Sequence, residues 1–131
     1  MTIVLVDTGT AVREQLAAPL HRAGVTLLQA TSPKHALALA QAEQPEAVVI
    51  NLTLAARAGD FAFSVLRCDP ATAGLPVVFL IDRLRWGRRA NDAAADAFVP
   101  IPWTPERVLA ALHHALGRDT LAASPALAQE G

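Results

Sequence analysis

Two oxygen-bearing side chains stand at the ends of apolar, strand-like runs. Asp7 ends the β-branched run that begins at Ile3, and Asn51 ends the run Ala47-Val48-Val49-Ile50. In a parallel sheet covered by helices, such positions deliver side chains to the crevice beyond the strand ends. A carboxylate there can ligate a hard cation. Asn51 offers an oxygen without a full negative charge, and its nitrogen lone pair is delocalised, so it cannot serve as a nucleophile. A third feature is the charge cluster Arg83, Arg85, Arg88 and Arg89, with Trp86 among the arginines.

The elements that must position these residues alternate regularly. Ile3–Asp7 reads as a first strand. Thr10–Ala23 reads as a helix, with Val12, Leu16 and Leu20 on one face and Gly24 at its end. Pro19 inside it should remove one hydrogen bond or kink the last turn. Val25–Ala30 is a second strand. Ser32 caps a helix that has Pro33 at its first position and runs to about Glu43. Glu46–Ile50 is a third strand. Asp60 is expected to cap a third helix, which runs to about Cys68 and is broken by Asp69-Pro70. Leu75–Ile81 is a fourth strand, almost wholly apolar, as a strand covered on both faces should be. Leu84–Ala94 is a fourth helix. Asp96–Pro100 is a fifth strand, which Pro100 places at a sheet edge. Thr104-Pro105-Glu106 opens the last helix, which ends at Gly117. Residues 118–131 carry Pro, Ser and Gln with a weak Leu pattern and read as a loosely ordered tail.

Five β-α units predict a flavodoxin-like three-layer sandwich: a five-stranded parallel sheet in order 2-1-3-4-5 with five helices on its two faces. Asp7 and Asn51 then lie together at the crevice. The chain has 131 residues, enough for one core, and residues 1–117 read as one domain. A hydrophobic content of 53% excludes a disordered chain. A net charge of −1 gives no global attraction for nucleic acid or membrane. No apolar run is long enough to span a bilayer, and the chain enters a strand directly, so no leader is expected. Cys68 is alone, which fits a reducing, cytoplasmic setting.

The pattern resembles the receiver domains of bacterial response regulators, the CheY-like family. The resemblance covers about residues 2–117. It rests on the ungapped stretch Asn51–Arg67, on Leu66-Arg67-Cys68-Asp69-Pro70-Ala71-Thr72 leading to Leu75-Pro76-Val77-Val78, and on Ala95-Asp96-Ala97-Phe98-Val99 leading to Pro102. The resemblance implies a phosphoryl site of five groups. Asp7 matches the first of two metal-binding acids, and Thr8 stands in place of the second. Asn51 stands where the family has its phosphoacceptor aspartate. Ile81 replaces the hydroxyl residue, and Ile101, before Pro102, replaces the lysine. Losing nucleophile, metal ligand, hydroxyl and cation together leaves no phosphoryl site. Asp7 is then expected to be a leftover acid, solvated at the crevice mouth or capping the next helix. The Ile101-Pro102 bond matches a pair that is usually cis in the family. Phe98 occupies the place of the family's switch aromatic and is expected to be plain packing.

Other readings carry less. Val4-Leu5-Val6-Asp7-Thr8-Gly9-Thr10-Ala11 nearly matches an aspartic-protease signature, but that fold is all-β and this chain has capped helices throughout. Thr8-Gly9-Thr10 is compatible with a flavodoxin-like phosphate loop, yet the chain has no Tyr and only Trp86 and Trp103 to flank a flavin. His113 and His114 point about 100° apart on a helix and cannot chelate one metal. No DNA-reading motif follows the domain, so nucleic acid is not the expected partner.

The expectation is a pseudo-receiver: not an enzyme, with no metal and no cofactor, acting by protein contacts in signal transduction. In the family the face made by the fourth helix, fifth strand and last helix carries partner and dimer contacts. Arg85, Trp86, Arg88, Arg89 and Trp103 would lie there, suited to a signalling partner or to self-association. The alternative functions are a small-ligand sensor using the emptied crevice and a flavodoxin-like flavin-binding protein.

Overall fold

The computed structural model describes residues 1–52, 56–82 and 96–117. Five strands alternate with helices in chain order. They are β1 (Thr2–Val6), α1 (Ala11–Arg22), β2 (Thr26–Ala30), α2 (Pro33–Glu43), β3 (Ala47–Asn51), α3 (Ala56–Cys68), β4 (Val77–Ile81), β5 (Ala97–Pro100) and α4 (Pro105–Ala115). All strand pairs are parallel, in the order β2-β1-β3-β4-β5. This is the topology that the alternation predicts. The helix expected over residues 84–94, with Arg85, Trp86, Arg88 and Arg89, lies outside the described residues, as do residues 118–131.

Alternation along each strand sends side chains to two cores. Val4, Val6, Val48, Ile50, Val77, Phe79 and Ile81 pack with Ala36, Ala40, Ala62 and Leu66 from α2 and α3. Ile3, Leu5, Val49, Val78 and Leu80 pack with Val12, Leu16 and Leu20 of α1 and Val108 and Leu112 of α4. Both faces of the central strands are therefore dry, which is why β3 and β4 are apolar at nearly every position.

The helix starts follow local chemistry. Ser32 Oγ accepts from the His35 N–H (3.0 Å) and Thr104 Oγ1 from the Arg107 N–H (3.2 Å), each with Pro in the first turn. Thr10, at the start of α1, makes no side-chain cap. Pro19 does not end α1, which continues to Arg22. One expectation is corrected: α3 starts at Ala56, so Asp60 lies within the helix and does not cap it. Ala56, Arg57 and Ala58 are good helix formers, so the helix can extend ahead of Asp60.

Arg67 fastens the end of α3 to the sheet. Its guanidinium donates to the carbonyls of Ala73 (2.8 Å) and Leu75 (2.7 Å) and pairs with Asp96 Oδ2 (3.3 Å). The same Asp96 oxygen accepts the Val77 N–H at 2.7 Å, and the Asp96 N–H donates to the Val77 carbonyl at 2.9 Å. β5 is an edge strand, as Pro100 predicts.

Candidate functional site

The register brings the two oxygen-bearing side chains together. Val6 pairs with Ile50 across β1 and β3, so the next residue of each strand, Asp7 and Asn51, meets at the carboxyl end of the sheet. Backbone bonds fix these ends: Asp7 N–H to the Ala30 carbonyl (3.0 Å) and Leu52 N–H to the Leu80 carbonyl (3.1 Å). Asn51 Nδ2 donates to Asp7 Oδ2 at 3.2 Å. Asp7 Oδ1 accepts the Gly9 N–H at 3.2 Å, closing a tight turn into α1.

Both side chains are buried, Asp7 at 4% exposure and Asn51 at 5%. The expectation of a solvated or helix-capping Asp7 is corrected. Its carboxylate is withdrawn from water and satisfied by an amide and a backbone N–H. A buried carboxylate needs such donors, because an unpaired one would lose its hydration without replacement. An asparagine supplies an N–H donor at this place, which an ionised aspartate cannot.

The other site positions are set by the same frame. Thr8 is exposed beside Asp7. Ile81, at the end of β4, is buried in the core under α2 and α3. Ile101 stands out into solvent at 54% exposure, next to a cis peptide bond to Pro102. Trp103 is half-buried, and its indole N–H donates to the Ile81 carbonyl at 3.2 Å. The Ile101 N–H reaches the same carbonyl, also at 3.2 Å. The Trp103 carbonyl accepts from Gln15 of α1 at 3.3 Å. Trp103 thus ties β4, α1 and α4 together.

One residue of the site is not apparent from the sequence pattern. Gln29 Nε2 donates to the Asp7 carbonyl at 2.9 Å and also to the Gly9 carbonyl, bracing the β1–α1 loop. The available signal was a lone amide within Leu27-Leu28-Gln29-Ala30.

The donor set does not suit a hard divalent cation. Asp7 alone brings a carboxylate, and Asn51 turns its nitrogen, not its oxygen, toward it. Among the described residues no group of three His, Cys, Asp or Glu side chains could hold a metal ion. Asn51→Asp is expected to destabilise the chain by about 1 kcal/mol at neutral pH, since two buried carboxylates would face each other. Urea unfolding of both forms measures it; a mutant as stable as the wild type at pH 7 would contradict the argument.

The parallel β2-β1-β3-β4-β5 sheet, crossed by helices on both faces and with its crevice at β1 and β3, matches solved receivers over nearly their whole length. The chain has the CheY-like receiver fold. Chemotaxis response regulator CheY4 of Vibrio cholerae superposes with a TM-score of 0.73 at 19% identity, over 88% of this chain and 98% of that one. The receiver domain of sensor histidine kinase PA1611 from Pseudomonas aeruginosa, solved with magnesium in its active-site cleft, gives 0.76 at 18% identity, over 88% and 97%. Two response regulators align with this chain in sequence. Response regulator MprA of Mycolicibacterium vanbaalenii is 32% identical over 121 residues, 90% of this chain and 51% of that protein. The phosphate regulon transcriptional regulatory protein PhoB of Pseudomonas aeruginosa is 25% identical over 119 residues, 89% of this chain and 52% of that protein. The chain spans about half the length of these relatives. No protein-family model matches the sequence.

Proposed function

We propose that the chain is a receiver-fold module of bacterial signal transduction that is not switched by phosphoryl transfer and acts by constitutive protein contact. The hydrogen bond from the Asn51 amide to the Asp7 carboxylate carries this reading. It places a non-nucleophilic donor where the resemblance expects the acceptor, and it occupies the remaining acid. Ile81 and Ile101, at the positions of the hydroxyl and the lysine, offer no group to hold a phosphoryl oxygen. The sequence likeness to response regulators supports a role in signalling. A cytoplasmic setting belongs to the same proposal, and no described helix is long and apolar enough to cross a membrane.

Acetyl phosphate with Mg²⁺ is the direct test. The expected result is no phosphorylated species in intact-mass spectra and no tight Mg²⁺ binding. A stable mass increase of one phosphate, or metal binding that Asp7→Ala abolishes, would overturn the reading.

The partner surface we assign lies on β5 and α4, together with the cluster Arg85, Trp86, Arg88 and Arg89. Between β5 and α4 runs an open groove of about 550 Å³, lined by Ala97, Phe98, Ala110 and Ala111, with Asp96, Arg107 and His114 along it. An apolar floor beside the Arg107 guanidinium, with the Asp96 carboxylate paired to Arg67, suits an acidic signalling protein, and a second copy is the competing occupant because dimeric contacts use one patch twice. Trp86→Ala is expected to weaken the complex roughly 30-fold, about 2 kcal/mol, as loss of an aromatic anchor does. Titration with the captured partner measures it. An unchanged affinity would remove Trp86 from the interface.

A further inference from the structure

A closed circuit of contacts surrounds Phe79 at the centre of β4. Phe63 of α3 meets Phe79 edge-to-face, with centroids 5.1 Å apart and planes at 72°. Phe79 meets Phe98 of β5 in the same manner, at 5.8 Å and 62°, and the two are register partners across the strands. The Arg67 guanidinium lies 5.0 Å from the Phe63 centroid. Arg67 also pairs with Asp96, which leads directly into β5 and so back to Phe98. The circuit therefore runs from α3 through two rings to β5 and returns through one ion pair. Arg67 touches both of its arms, through the Phe63 ring and through Asp96.

Phe98 is the point where this circuit reaches the outside. It packs against the core on one side and lines the groove between β5 and α4 on the other. An edge strand has a neighbour on one side only, so the position of β5 depends more on such ties than that of a central strand. We propose that Arg67 is a positioning residue that clamps β5, and with it the groove wall Phe98, from the surface of α3. Contact at the groove and contact at Arg67 on α3 are then linked, and linkage is reciprocal: a ligand that moves one must shift the other. The clamp is a property of the free chain and holds whether or not a partner uses the groove.

The test uses the whole chain labelled with 4-fluorophenylalanine, which reports four rings, together with amide exchange. Arg67→Met keeps an unbranched stem of similar length and removes the charge and all guanidinium hydrogen bonds. The expected result is a shifted or exchange-broadened Phe98 fluorine signal. The Asp96 amide should exchange at least tenfold faster relative to the Asp7 and Glu46 amides, which bond β2 and β1 at the far side of the sheet. A merely structural loss would accelerate all three amides alike. Asp96→Asn keeps an acceptor for Val77 and loses the ion pair, so it should move Phe98 in the same direction by less; it decides the matter if Arg67→Met does not fold. In the reverse direction, Phe98→Leu should shift the Arg67 Nε–H signal. A Phe98 signal that stays in place in both clamp variants, or uniform acceleration of the amides, would overturn the proposal.

Discussion

Phe79→Ala is expected to destabilise the chain by about 3–5 kcal/mol, the range for truncating a buried phenylalanine. Phe79 is 1% exposed and sits in the middle of β4, which has strands on both sides. Removing its ring withdraws apolar area from the core and leaves a hole between α3 and the sheet. It also ends two edge-to-face contacts, each contributing about 0.5–1.5 kcal/mol beyond the area effect. Domains of this size are stable by roughly 5–15 kcal/mol, so the mutant would lose a large part of its margin. Phe79→Leu keeps most of the volume and should cost about 1–2 kcal/mol. Urea denaturation followed by circular dichroism gives both values. A loss below about 1.5 kcal/mol for the alanine form would mean that the neighbouring rings close the gap.

Trp103→Ala is the second large effect, expected at about 2–3 kcal/mol of stability because Trp103 is half-buried rather than fully enclosed. The sequence places Trp103 on the partner face, but its indole N–H is engaged inside the molecule with the Ile81 carbonyl. Its ring packs against the core formed by α1, α4 and the sheet. Trp103→Phe isolates the hydrogen bond and should cost about 1 kcal/mol. If both changes leave stability intact while abolishing partner binding, Trp103 belongs to the interface and not to the frame.

The sheet was legible because its physics is local. Parallel strands buried on both faces write continuous apolar runs, and Ser32-Pro33 and Thr104-Pro105 mark helix starts within a few residues. The start of α3 differs from the expectation because Asp60 is a favourable cap residue, whereas the helix already runs from Ala56. The site was legible in composition but not in geometry. That Asn51 lacks a nucleophile follows from its side chain alone. That it donates to Asp7 depends on strands 44 residues apart meeting in one register. Gln29, Trp103 and Arg67 acquire their partners in the same non-local way, so no spacing rule announces them.

The amide–carboxylate pair also gives the chain a direction in mutational space. Asn51→Asp made first introduces a second buried carboxylate beside Asp7. Ile101→Lys made first alters a side chain that already stands mostly in solvent, at 54% exposure, and removes apolar surface from the exterior. A laboratory selection for phosphoryl acceptance, started from this chain, should therefore pass through position 101 before position 51. Clones that take the steps in the opposite order must cross a fold of reduced stability, and they should be found chiefly at low growth temperature.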